Sequence, residues 1–223
     1  EELVNGLEAA MADVACAFRF VQANTASWAV DPARMAMGGF SAGAFSAIYA
    51  ACALGVPAAA IVSLSGGMDP EDAAHYLHGG RGQPALLLLS SEFDLPGIGE
   101  RTLALSTRAQ ALGLAVRRYF VPGKPHFYDR TTAVQLQHSN QAASPTHCSV
   151  EAAIDHFLHD NLAAPAVSVQ VLEAFADAWC RHDVDALMAC MADDCVFHTS
   201  AGPEASGTRH VGREAVRAAF AKA

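Results

Sequence analysis

Leu3, Leu7, Met11, Val14, Phe18 and Val21 recur every three or four residues, so the chain opens on an amphipathic helix from residue 2 to about 28. Asp31-Pro32 stops it. A short apolar segment, Arg34 to Gly38, then runs through glycines into Ala42 to Leu54, where Phe45, Ile48 and Tyr49 sit at helical spacing: strand, sharp turn, helix. Ala58 to Leu64 and Pro84 to Ser90 ("PALLLLS") are continuous apolar runs without alternation, as expected of parallel strands covered on both faces. Pro70 to Leu77 and Gly99 to Leu112 read as helices, Ala115 to Val121 as a strand, and Ser149 to Leu162 as a helix capped by Ser149 with Glu151 in its first turn. Repeated βα units of this kind predict an α/β domain, a mostly parallel sheet flanked by helices and joined by right-handed crossovers.

The pattern changes after Leu162. Ala163-Ala164-Pro165-Ala166 reads as a linker. Val171, Phe175, Ala178 and Trp179 mark a further helix, Asp183 caps a short one to about Met191, "CVFHTS" (195–200) reads as a strand, and Gly212 precedes a last helix, Arg213 to Lys222. The expected boundary divides the chain into residues 1–164 and 165–223.

Composition narrows the function classes. The 52% hydrophobic content of 223 residues is enough to fill a core. Fourteen basic against twenty-three acidic residues give a formal charge of -9, which repels polyanions and speaks against a nucleic-acid partner. No apolar run is long enough to span a membrane. Six cysteines without a CxxC pair read as buried thiols, which favours a reducing compartment such as the cytoplasm and leaves localisation open. Ten histidines without HExxH or Cys/His clusters give no metal signature. His156 and His159 share a helix face, and His75, His78, His138 and His147 are expected at the surface.

The turn "GGFSAGA" holds Gly-x-Ser-x-Gly at the predicted strand-to-helix junction, where small residues relieve crowding and lift the Ser41 hydroxyl into the open. A serine hydroxyl needs a base, and the base needs an orienting group. Asp94, in "SEFDLPG", and His126, in "PGKPHFYDR", each follow a later strand, on the edge that carries Ser41. Asp69, in "GGMDP", is the competing acid.

On these motifs residues 1 to about 163 resemble the C-terminal two-thirds of an α/β-hydrolase, most nearly its carboxylesterase-like members, including those related to hormone-sensitive lipase and arylformamidase. The resemblance implies a Ser41 nucleophile, His126 as general base and then acid, Asp94 orienting His126, and the Ala42 backbone N–H as one oxyanion donor. It implies an acyl-enzyme route on a small-molecule ester, with no metal and no organic cofactor. Amide, formamide, lactone and thioester substrates stay open. The first strands of that fold and its His-Gly-Gly type loop do not appear, so the sequence reads as a fragment, or the product of an interrupted gene, whose first strand is left as an open edge.

From about Val167 the chain resembles the start of a SnoaL-like domain of the NTF2-like superfamily, a partial α+β segment. The likeness rests on Ala-Phe-x-x-Ala-Trp, His-Asp-x-Asp, Ala-Asp-Asp-x-Val-Phe and Gly-x-x-x-Val-x-x-x-Phe. It implies core roles for Phe175, Trp179 and Phe220, with His198 or His210 facing a pocket. Two rival readings follow: a catalytically inactive hydrolase remnant whose SnoaL-like part binds a small apolar ligand or forms a homodimer, and a SnoaL-like isomerase or cyclase fused to an esterase.

Overall fold

The computed structural model describes residues 2–80, 82–142, 144–163, 169–199 and 207–222, with backbone alone at residues 2–5 and 7. The chain divides into two compact units, residues 1–164 and 165–223.

The first unit opens with α1 (Glu2–Ala23). Ala15 and Phe18 are buried, while the side chains of Leu3 and Leu7 lie outside the described residues. The helix is shorter than its periodicity predicts. Asn24 turns its side-chain amide back onto the Phe20 carbonyl, and α2 (Thr25–Trp28) is a separate turn ended by Ala29 at φ 53. A single 3-10 turn, Pro32–Arg34, follows, with Asp31 accepting from the Ala33 N–H. It displaces the first strand, β1 (Ala36–Phe40), two residues from its predicted place.

Then come α3 (Ala42–Cys52), β2 (Ala60–Leu64), α4 (Pro70–Tyr76), β3 (Ala85–Phe93), α5 (Ile98–Ala111) and β4 (Val116–Pro125). The unit closes with β5 (Ala133–Ser139), β6 (His147–Ser149) and α6 (Val150–Leu162), the last capped by the Ser149 hydroxyl on Ala152 N–H. The sheet runs β1-β2-β3-β4-β5-β6, parallel through β4 and antiparallel beyond it. β5 and β6 are unanticipated. Val134 and Leu136 alternate with Gln135 and Gln137, a weak period-two signal with only two apolar positions.

Successive residues of the central strands feed opposite faces. Ile61, Leu86 and Leu88 pack with α1, α3, α4 and α5, whereas Val62, Leu87 and Leu89 pack with α6. Burial on both sides explains why residues 60–62 and 85–89 form apolar runs without alternation. Inside the α6 layer Arg117 is fully buried, ion-paired with Asp160 and 5.9 Å from the Phe157 ring centroid.

The second unit contains α7 (Val169–Cys180), α8 (Val184–Ala189), β7 (Val196–His198), β8 (Arg209–Val211) and α9 (Arg213–Phe220). Asp183 caps α8 through the Ala186 N–H, and β7 and β8 form an antiparallel pair. β8 is unanticipated, having one apolar pair in three residues; Ser200 and most of the proposed linker lie outside the described residues. Ala178, Leu187, Met188, Val216 and Phe220 form its core. Trp179 does not join them: it is 42% exposed, touching the Phe220 ring edge-on.

The cysteines also differ from expectation. All six are free, but only Cys52 is fully buried, where burial pushes its thiol up to about 12; Cys16 and Cys180 are exposed. His138 is half-buried, with Nε2 enclosed and unbonded among the described residues. Among the described residues no helix is long and apolar enough to cross a membrane.

Candidate active site

Ser41, Asp94 and His126 each occupy the first position after a strand, following Phe40 of β1, Phe93 of β3 and Pro125 of β4. The β3–β4 ladder runs further than the apolar pattern predicts. A register shift between Ser91 and Phe93 lets it continue to a final pair, Phe93 with Pro125, and Gly123 N–H donates to Glu92 Oε2 at 2.7 Å. The two strands therefore leave the sheet side by side, and the next residue on each is a member of the site.

Ser41 has φ 55 and ψ -119, a conformation rare for a residue with a Cβ. Two constraints hold it there. Ser41 N–H donates to Leu64 O at 2.8 Å on the neighbouring strand, and Ser41 O accepts from Phe45 N–H at 3.0 Å as α3 begins. The crowding is one-sided. A Cβ on Gly39 would lie 2.4 Å from the Gly43 carbonyl carbon, whereas one on Gly43 would meet nothing within 4 Å. The motif's first glycine permits the close approach, and the second supplies the backbone being approached.

His126 links the other two residues. Its Nε2 lies 2.8 Å from Ser41 Oγ and its Nδ1 lies 2.5 Å from Asp94 Oδ1. With Nδ1–H donating to the carboxylate, Nε2 is left as the acceptor for the serine proton. The Phe40 ring packs 5.2 Å from the imidazole, and Phe127 packs at 4.9 Å. Only 7% of His126 is exposed. Ala42 N–H, the first of α3, has no acceptor within the helix and lies beside the serine.

Burial pushes the Asp94 carboxyl up, but hydrogen bonds from Ser91 N–H, the Ser65 hydroxyl, His126 and Leu95 N–H outweigh it and hold the group below its ordinary value. Asp94 stays ionised opposite the imidazole. Ser65 is the residue sequence reasoning missed. It is fully buried at φ 49, with Oγ 2.7 Å from Asp94 Oδ2 and 3.1 Å from the Tyr128 hydroxyl. With the Ser65 proton committed to Asp94, the Tyr128 O–H donates to Ser65; burial raises that phenol to about 12 and keeps it protonated. The usable signal was position: Ser65 is the first residue after β2, before Gly66-Gly67, on the edge that carries the other three.

Asp69, the competing acid, lies elsewhere. It accepts from Arg101 Nε at 2.7 Å on the wall of a cavity of about 350 Å³ that opens beside Ser41 and Ala42. In the second unit His198 is exposed, and the His210 ring stacks 6.4 Å from that of Phe197. The second unit has a cavity of about 60 Å³ lined by Trp179, His182 and Leu187 and an open one of about 400 Å³ lined by Phe175, Trp179 and Phe197. Among the described residues no group of three or more His, Cys, Asp or Glu side chains could hold a metal ion.

Residues 172–223 match the family model described as a SnoaL-like domain. No curated protein matches the chain. Among solved structures, it is similar to a thermophilic esterase from Thermogutta terrifontis with propionate bound, at 18% identity over 70% of this chain and 67% of that one, TM-score 0.49. It is similar also to a truncated carbohydrate esterase from gut microbiota, at 17% identity over 52% and 60%, TM-score 0.45. The α/β hydrolase MGS-M1 from a Medee basin deep-sea metagenome library matches at 14% identity over 79% and 64%, TM-score 0.45. The chain spans between half and three-fifths of the length of several solved esterases it matches.

Proposed function

We propose that residues 1–164 act as a serine hydrolase that cleaves a carboxylic ester of a small molecule through an acyl-enzyme, and that residues 165–223 are the N-terminal part of a SnoaL-like domain. One observation carries the reading: a single imidazole sits within hydrogen-bond reach of both a strained serine and an ionised aspartate. A structural role for Ser41 would require neither the positive φ nor a histidine partner.

Ser41 Oγ attacks the acyl carbon while His126 Nε2 takes its proton. The tetrahedral oxyanion accepts from Ala42 N–H, whose helix dipole favours negative charge at that position. His126 returns the proton to the departing alcohol oxygen, leaving the acyl group on Ser41. Water, deprotonated by the same nitrogen, then releases the acid and restores the serine. Asp94 keeps its charge throughout, fixing the tautomer and balancing the imidazolium.

The test is turnover of 4-nitrophenyl acetate by the chain and by Ser41→Ala. The reading requires activity in the first and background rates in the second, with unchanged circular dichroism spectra. Equal rates in the two would refute it.

A further inference from the structure

The cavity beside Ser41 carries a charged pair that the proposed chemistry leaves unused. Asp69 stands at the N-cap position of α4, before Pro70, where an aspartate ordinarily accepts from a backbone N–H of the first turn. It makes no such bond. Its carboxylate turns instead to Arg101 in the first turn of α5, contacting Nε through Oδ1 alone. Asp69 Oδ2 and both Arg101 Nη atoms have no hydrogen-bond partner among the described residues, and the two side chains are 48% and 42% exposed.

The pair is built in place. A Cβ on Gly67 would lie 2.8 Å from Arg101 Cβ, so the glycine lets α5 approach the loop that follows β2. Thr102, fully buried, sits with its hydroxyl 2.9 Å from the Gly66 carbonyl and ties the same loop to the helix. Phe45 and Ile98 supply apolar walls around the two charges.

Three classes of occupant can be compared. An alkyl chain would strip water from Asp69 Oδ2 and the guanidinium without replacing their hydrogen bonds, which opposes entry. An anion would compete with Asp69 for Arg101 and enter the field of a chain with formal charge -9. A neutral group bearing adjacent hydroxyls satisfies both, since each hydroxyl can donate to the carboxylate and accept from the guanidinium. Phe45 and Ile98 then cover its C–H faces. We infer that the Asp69–Arg101 pair is a substrate subsite for the hydroxyl-bearing part of a sugar or polyol ester, an inference that rests on Ser41 being the nucleophile of a hydrolase.

The experiment compares kcat/KM for a monoacetylated methyl glucoside with that for cyclohexylmethyl acetate, which presents the same acyl group without hydroxyls. The readout is the ratio of the two constants in the unaltered chain and in Asp69→Asn, Arg101→Met and Arg101→Lys. The proposal expects the ratio to favour the sugar ester, to fall about tenfold in Asp69→Asn and Arg101→Met, and to be partly restored in Arg101→Lys. Parallel losses on both esters, leaving the ratio unchanged, would mean that the pair only pins α5 to the loop, and would overturn the subsite. A ratio favouring cyclohexylmethyl acetate in the unaltered chain would overturn it too. Failure to cleave 4-nitrophenyl acetate at all would be a separate result, removing the hydrolase reading and the subsite with it.

Discussion

Phe93 and Pro125 face one another as the last pair of the parallel β3–β4 ladder, and the residues that follow them are Asp94 and His126. Strand pairing thus brings an acid beside an imidazole before any side-chain contact is made. The remaining position, Ser41, follows β1, two strands from β3, and the turn it occupies presents its hydroxyl to Nε2.

Ser65 positions Asp94 by holding the oxygen that His126 does not use. Hydrogen bonds to charged groups contribute about 1.5–3 kcal/mol, so Ser65→Ala is expected to lower kcat/KM on 4-nitrophenyl acetate by roughly tenfold or more. Asp94→Asn, which inverts the tautomer preference at Nδ1, should cost on the order of 10⁴ in kcat. Steady-state kinetics of the two variants, with Ser65→Thr as the hydroxyl-retaining control, checks the order; a Ser65→Ala loss equal to that of Asp94→Asn would contradict a positioning role.

The glycines flanking the serine are unequal. Gly39→Ala drives a methyl into the Gly43 backbone and is expected to abolish both cooperative unfolding and activity. Gly43→Ala meets open space inside a helix, where alanine is favoured over glycine by about 1 kcal/mol, and should raise the midpoint of thermal denaturation. A calorimetric scan of both variants decides it.

Acid sensitivity follows from Asp94. Its carboxyl lies below the ordinary value in the folded chain, so between pH about 4 and that lower value the unfolded state binds more protons than the folded one. The stability contributed by this group is present above pH about 4 and is lost as pH falls through the folded pKa. Urea titrations across this range should show a shallower acid decline in Asp94→Asn than in the unaltered chain.

Arg117 is wholly buried, while its partner Asp160 reaches solvent. Removing the acid strands a buried charge, so Asp160→Ala is expected to cost about 2–3 kcal/mol, less than breaking a fully enclosed pair. Arg117→Met, which removes the charge and keeps the volume, should cost less. The difference is measurable as a shift of several degrees in thermal midpoint.

The central parallel strands were legible because burial on both faces leaves unbroken apolar runs, as in Leu86 to Leu89. The antiparallel edge was not: β6 has three residues, and β5 offers only Val134 and Leu136 as a stripe. Ser41, Asp94 and His126 could be named from the strand ends they follow. Ser65 could not be singled out, since its role depends on a bend at φ 49 that aims a common residue at one carboxylate oxygen. The extension of β3 and β4 past Ser90 and Val121 was hidden by Glu92, Gly123 and Lys124, polar or small residues where the ladder shifts register and Gly123 N–H donates to the Glu92 side chain.

The most direct test of the central claim is fluorophosphonate labelling of the chain, with the modified peptide mapped by mass spectrometry, repeated on His126→Ala. The account predicts a single adduct on Ser41 that is lost when the imidazole is removed. An adduct elsewhere, or a Ser41 hydroxyl that stays unreactive while His126 is intact, would contradict it.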